Sequence, residues 1–240
     1  MIGAPRADGG GARTPIMIPW EHLGVATVPG GEVSLRLMRH DGDYSIMVGT
    51  NELMSTRRSG SEVALADLTC AKLTLKTAPR VLIGGLGMGF TLRAALAALG
   101  PHAVVTVVEL IPEVVAWAHG PMASVHGESL TDPRVRIVVA DVGAVIAAAS
   151  GSFDAILLDV DNGPEGLIRP ENDALYEAPA LRRTREALAP DGVLAVWSSA
   201  PHDAFAKRLG PAGFDVEEHK VRANGRRRGA RHVIWLATRR

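Results

Sequence analysis

Cysteine is almost absent from the 240-residue sequence. Cys70 is the single example, so no internal disulfide can form and a reducing, cytoplasmic setting is expected. Net charge is absent too: 26 Lys and Arg balance 26 Asp and Glu, and no overall field draws the chain to nucleic acid or an acidic membrane surface. Long hydrophobic runs are missing. Apolar stretches are broken by Gly, Pro or charge well short of the roughly 18 residues a spanning helix needs, so no membrane association is expected. The first residues lack the apolar core of a secretory signal. Residues 1–19, which carry Gly9, Gly10 and Gly11, read as a disordered segment. The eight histidines are scattered, with no His/Cys/Asp grouping at metal-ligand spacing, and no metal is expected.

What is present is ordinary globular material, 47% hydrophobic and 22% charged, long enough to bury a core without disulfides or metal. The length fits one domain and a modest appendage, and two rhythms divide the chain accordingly. Residues 20–79 form a small β-hairpin region with a linking helix. Val33–Leu37 and Tyr44–Val48 alternate on either side of His40-Asp41-Gly42-Asp43, the signal of a hairpin closed by an Asp-Gly turn. Residues 61–75 then carry Val63, Leu65, Leu68 and Leu73 near helical spacing, behind Ser59-Gly60-Ser61.

From residue 80 to 240 apolar strands alternate with helices. Strands are predicted at 81–83, 104–108, 135–139, 155–158 and 193–197. Helices are predicted at 90–99, 113–119, 142–149, 174–189 and 204–209. This pattern is an α/β fold of βαβ units with a mostly parallel sheet. Two closing strands, 214–221 and 232–237, have no helix between them, which makes an antiparallel last strand at one end of the sheet.

Between the first of these strands and its helix lies Gly84-Gly85-Leu86-Gly87-Met88-Gly89. Glycines let the backbone turn tightly and let a ligand approach without meeting a Cβ. The following helix offers unpaired N–H groups and partial positive charge. An acidic residue about 20 positions on can accept from a ribose diol, and Glu109, at the end of the second strand, meets that requirement. The order Gly85-x-Gly87-x-Gly89 is the form found in proteins that bind S-adenosylmethionine or its relatives. A nicotinamide loop, G-x-G-x-x-G/A, would place bulky Phe90 at its last position. A loop that only packs helix on strand is the plain alternative.

Val81 to Gly89, Val108-Glu109-Leu110, Ala140-Asp141 and Asp154 to Asp159 together resemble the spermidine synthase (polyamine aminopropyltransferase) family over roughly residues 33–238. The resemblance implies a Rossmann-like class I methyltransferase fold with a small N-terminal β region. It implies aminopropyl transfer from decarboxylated S-adenosylmethionine to an amine in polyamine biosynthesis, with a homodimer as the assembly. Gly84, Gly85, Gly87 and Gly89 would line the methionine-derived part of the donor. Glu109, with Leu110 beside it, would hold the ribose. Asp141 would face the adenine amino group, with Val142 against the ring. Asp159 matches the catalytic aspartate, and Asp161 and Asn162 would orient the acceptor.

The acceptor half departs from the family pattern. A D-x-x-D pair is expected at the fourth strand, but the chain reads Asp159-Val160-Asp161-Asn162, with Asn162 where the second carboxylate belongs. The family's Tyr-Gln pair is not evident in Asn51-Glu52-Leu53-Met54, and Val221 to Arg228 replaces its Pro-Thr-Tyr-Pro segment.

A primary amine has a pKa of about 10 and must lose a proton before it attacks a sulfonium carbon; Asp159 is the expected base. The same motifs allow two other readings, a methyltransferase that uses intact S-adenosylmethionine on a small molecule, and a non-catalytic nucleotide-binding protein. Glu165 and Glu171 could attract a cationic acceptor or be solvated loop charges. Tyr176 and Trp197 read as packing residues. Trp20 is not assigned to the cofactor. The run Arg226-Arg227-Arg228 has no interleaved aromatics, so it does not support base stacking, and a nucleic-acid partner is not expected.

Overall fold

The structure, a computed structural model, describes residues 19–31, 33–160, 163–164, 173–224 and 229–240. The expected disordered start therefore lies outside the described residues, Pro19 excepted, as do Asp161, Asn162, Glu165, Glu171 and Arg226 to Arg228.

The first part is a four-stranded antiparallel sheet in the order β1 (Glu21–Thr27), β2 (Ser34–His40), β3 (Asp43–Val48), β4 (Asn51–Ser55). Its centre is the predicted hairpin. His40 pairs with Asp43 across a two-residue turn, in which Asp41 and Gly42 have φ of 48° and 83°. Positive φ at both central positions gives the turn the twist that matches paired strands. The flanking strands were not legible in the sequence. β1 carries a bulge between His22 and Gly24, and β4 is short, half-buried and begins on polar residues. Neither shows the clean alternation of β2.

Helix α1 (Gly60–Ala71) links this sheet to a seven-stranded one. The larger sheet contains β5 (Arg80–Gly84), β6 (Val104–Glu109), β7 (Val135–Val139), β8 (Phe153–Leu158), β9 (Leu188–Ser198), β10 (Phe214–Arg222) and β11 (Arg231–Arg239), in the order β10-β11-β9-β8-β5-β6-β7. Strands β5 to β9 pair in parallel, while β11 runs antiparallel to both β9 and β10. β5 and β8 are buried along almost their whole length, so they read as continuous apolar runs rather than alternating ones.

The connecting helices are α2 (Phe90–Ala98), α3 (Pro112–His119), α4 (Ala123–His126), α5 (Val142–Ala147), α6 (Ala178–Ala187) and α7 (Asp203–Leu209). One face of the sheet buries Ile83, Val105 and Leu157 with Leu65 of α1 and Leu92 of α2. The other buries Leu82, Ile156 and Leu194 with Ile146 of α5, Leu181 of α6 and Phe205 of α7. A third cluster joins Leu37 and Ile46 of the small sheet to Val114 and Trp117 of α3. Among the described residues no helix is long and apolar enough to cross a membrane.

Several predicted boundaries moved: the helix expected over 61–75 ends at Ala71, and two further shifts have a local cause. The helix expected over 174–189 is a short turn at Ala174–Tyr176 and then α6, because Glu177 is extended. Pro179 lacks an N–H and can sit only in a first helical turn, so one helix cannot run through it. β9 begins at Leu188 rather than Val193. It pairs Leu188 with Phe153, breaks register around Asp191 at φ 61°, and resumes opposite Ala155.

Candidate active site

The glycine loop crosses the C-terminal ends of the parallel strands, where open α/β sheets bind ligands. Gly84, the last residue of β5, is buried in the sheet, and its carbonyl accepts from the Asp159 N–H at 3.0 Å. Gly85 donates to the Val108 carbonyl at 2.8 Å and has φ of 91°. A Cβ at Gly85 would lie 2.4 Å from the Asp159 carbonyl oxygen, so strand β8 approaches too closely for any side chain there. Gly89, at φ 72°, precedes α2, and a Cβ on it would meet Nδ1 of buried His126 at 2.5 Å. No side chain caps this end of α2, so its first N–H groups are left for the loop or a ligand. Burial, and after it the Arg93 charge, lower the His126 pKa to about 4; the ring is neutral packing behind the loop.

Glu109, buried at the end of β6, binds the loop with both oxygens. Oε2 accepts from the Leu86 N–H at 2.9 Å and Oε1 from the Ile111 N–H at 3.0 Å. Burial raises its pKa, and these backbone donors act in the opposite direction. Asp141 caps α5, its Oδ1 accepting from the Ala144 N–H at 3.0 Å. Val142 beside it is buried, and Leu110 is half-buried.

Asp159 follows β8. Its Oδ2 accepts from the Thr91 hydroxyl at 2.5 Å. Burial, and after it the charge of Glu62, raise its pKa to about 7, while the Thr91 hydrogen bond opposes the rise. Glu62 belongs to the first turn of α1 and is pushed up by its own burial, against a hydrogen bond from Ser61. Two mutually repelling carboxylates thus come from the linking helix and from a strand end nearly a hundred residues away.

One cavity collects these groups. Gly85, Gly87, Gly89, Glu109, Leu110, Asp141, Val142 and Asp159 all line it, and Gly84 stands one residue back in the sheet. Val28, just past β1, and Leu35, Ile46 and Met54 of the small sheet line its other side, and Trp197, near the end of β9, borders it. Four carboxylates line it (Glu62, Glu109, Asp141 and Asp159), and the described lining contains no Lys, Arg or His. Among the described residues no group of three or more His, Cys, Asp or Glu side chains could hold a metal ion.

Sequence reasoning missed Glu62 and Thr91. A glutamate in a first helical turn reads as a partner of the helix dipole, and nothing local marks it as facing the end of β8. Trp197 is buried as expected and also borders the cavity. Tyr176 is buried, edge-on to Phe205. Trp20 is half-exposed and stacks on His40.

Fold and site together define an α/β protein with a class I methyltransferase-like fold and an acid-lined cavity beside its glycine loop. Residues 67–203, more than half of the chain, match the family described as Spermine/spermidine synthase domain, and the chain belongs to that family. It is 32% identical over 149 residues to polyamine aminopropyltransferase 1 of Streptomyces coelicolor, a match that covers 59% of this chain and 27% of that protein. It is 31% identical over 150 residues to the polyamine aminopropyltransferase of Mycobacterium tuberculosis, covering 59% of this chain and 28% of the relative. The chain thus spans little more than a quarter of the length of these relatives. Among solved structures, spermidine synthase from Thermotoga maritima superposes with a TM-score of 0.73 at 16% identity, over 91% of this chain and 73% of the other. A probable spermidine synthase from Corynebacterium glutamicum gives 0.62 at 19% identity, over 94% and 81%. At these identities the superpositions establish the shared fold.

Proposed function

We propose that the protein transfers an aminopropyl group from decarboxylated S-adenosylmethionine to an amine. The observation that carries this reading is the charge of the cavity, four carboxylates with no cationic side chain in the described lining. Such a site favours a sulfonium donor and an ammonium acceptor, and its described side chains offer no cation to the carboxylate of intact S-adenosylmethionine. The names of the relatives agree with it.

In this reading Gly85, Gly87 and Gly89 let the donor lie against the backbone. The Glu109 oxygens, each with a lone pair beyond its backbone bond, accept from the ribose hydroxyls. Asp141 faces the adenine amino group, and Leu110 and Val142 pack beside the nucleoside. Asp159 takes a proton from the acceptor ammonium, and its elevated pKa keeps it close to the working pH of a general base. The leaving thioether is neutral, so no acid is required on that side. Much of the acceleration then comes from holding amine and sulfonium in line. Asp161 and Asn162 are assigned to orienting the acceptor.

We read residues 20–79 as a cover on the nucleotide-binding domain at 80–240, supported by the small-sheet residues over the cavity. The single, buried Cys70 supports a reducing cytoplasm, and the resemblance supports a homodimer.

Calorimetry with decarboxylated S-adenosylmethionine, intact S-adenosylmethionine and methylthioadenosine tests the reading. The decarboxylated donor is expected to bind at least about tenfold tighter than the intact one, about 1.4 kcal/mol for an unpaired carboxylate. Equal or tighter binding of the intact form would make the protein a methyltransferase or another alkyl-transfer enzyme. Absence of binding by all three would remove the loop's assigned role.

A further inference from the structure

The proposed reaction releases a proton into a closed place. The acceptor enters as an ammonium ion and gives one proton to Asp159. Its freed lone pair forms a C–N bond as the C–S bond breaks, and that bonding pair stays on sulfur as a neutral thioether. The product nitrogen keeps the single positive charge, so one proton per turnover must leave Asp159 before the next cycle.

A hydrogen-bonded line that the chemistry above does not use begins at the same cavity. Glu62 lines the cavity together with Asp159. The Thr91 hydroxyl that donates to Asp159 also lies 3.4 Å from the Glu62 backbone carbonyl, so the start of α1 is held against the end of β8. The Glu62 carboxylate accepts from Ser61 Oγ at 2.6 Å. Ser61 is fully buried, and its Oγ lies 2.9 Å from Nδ1 of His232 on β11. His232 is half-buried, and the Trp197 ring stands edge-on to it with centroids 4.9 Å apart. The charged groups that bear on the line are Asp159 at its inner end and Arg58, whose charge acts on both Glu62 and His232. A buried serine that joins a carboxylate to an imidazole is costly to desolvate, so all three groups must stay paired for it to persist in a core.

We propose that Glu62 is the second carboxylate facing the acceptor amine, and that Ser61 and His232 carry the released proton from it to solvent. The proposal rests on the amine-alkylation reading of the cavity. The Asp159 proton passes to the Glu62 carboxylate. Glu62 gives it to Ser61 Oγ as the serine's own proton moves to bare Nδ1 of His232. The imidazolium then loses its Nε2 proton to water. This leaves Asp159 and Glu62 ionised, Ser61 donating to Glu62, and His232 neutral with its proton on Nδ1. That Nδ1–H form is the resting one; when Glu62 is protonated again, a turn of the half-exposed ring about Cβ–Cγ releases the Nδ1 proton to water as Nε2 takes one up, and bare Nδ1 returns to Ser61. Glu62 is here a catalytic residue; Ser61 and His232 are positioning residues that act through it.

Two measurements test the route on the full chain. In nitrogen-15 NMR of the histidine rings, His232 of the wild type is expected as the Nδ1–H tautomer, turning to Nε2–H in Ser61→Ala. In steady-state kinetics, Ser61→Ala and His232→Ala are expected to lose about tenfold in kcat. Amine KM and calorimetric affinity for methylthioadenosine should stay within about twofold of wild type, as for a proton-transfer defect in a folded protein. Added imidazole should restore kcat in His232→Ala. An unchanged tautomer in Ser61→Ala, wild-type kcat in both variants, or a loss that imidazole does not recover overturns the route. Absence of turnover by the wild type with any amine overturns the alkylation reading and the route with it, whereas wild-type turnover with undiminished variants overturns the route alone.

Discussion

Asp159 owes its character to burial and to two neighbours that are remote from it in sequence, Glu62 and Thr91. The apolar surroundings and the Glu62 charge disfavour its ionised form, and the Thr91 hydroxyl favours it. A base must be ionised to work, so kcat/KM is expected to fall as pH drops through about 7. Thr91→Val removes a hydrogen bond to the carboxylate, so the acid limb should move to higher pH, making the variant about threefold slower relative to wild type at pH 6 than at pH 8. Glu62→Gln removes a like charge, and the limb should move to lower pH. Rate profiles from pH 5 to 9 check both directions; limbs that coincide would show that Asp159 is not the titrating base. At this scale the sequence was half legible. Asp159, Glu109 and Asp141 stand at or just beyond strand ends, where position announces a ligand site. Thr91 looks like any residue on an Ala/Leu-rich helix, and Glu62 like any acid in a first turn.

The decisive element is the turn from β5 into α2. Its glycines were readable from spacing, but the reason each is needed lies in what approaches it. Gly85 combines φ of 91° with the Asp159 carbonyl oxygen 2.4 Å from any added Cβ. Gly85→Ala is expected to destabilise the fold by about 3 kcal/mol and to lower nucleotide affinity at least a hundredfold, because the backbone must swing away from β8. Gly100, past the end of α2, has nothing within 4 Å of an added Cβ and no positive φ. Gly100→Ala should change neither quantity measurably. Denaturant titration and calorimetry on the pair separate a special backbone position from a general glycine effect. Element boundaries were less readable than element types. Pro179 divided one predicted helix, and a bulge concealed the start of β9.

For the whole molecule, the cavity exists because the small sheet closes over the glycine loop. Ile46 is fully buried, packs in the cluster that joins the small sheet to α3, and lines the cavity. Ile46→Ala is expected to cost about 2–4 kcal/mol in denaturant unfolding. It should also weaken methylthioadenosine binding about tenfold, because the cover over the nucleotide loosens with the core that supports it. A stability loss with unchanged affinity would show that the small sheet is a separate appendage rather than part of the binding site.

By itself the sequence determined the alternation of strands and helices, the glycine turn, the acid at the end of β6 and the aspartate after β8. Each is written in local periodicity or in the backbone freedom of particular residues, and local signals survive without knowledge of the fold. Only the tertiary structure decided that β1 and β4 complete the small sheet, that Glu62 and Asp159 line one cavity, and that Ser61 joins Glu62 to His232. Those pairings span from about 97 to 171 residues of chain. They arise because α1 packs on one face of the large sheet against β8, β9 and β11, and packing between distant elements leaves no period or spacing in the sequence to read.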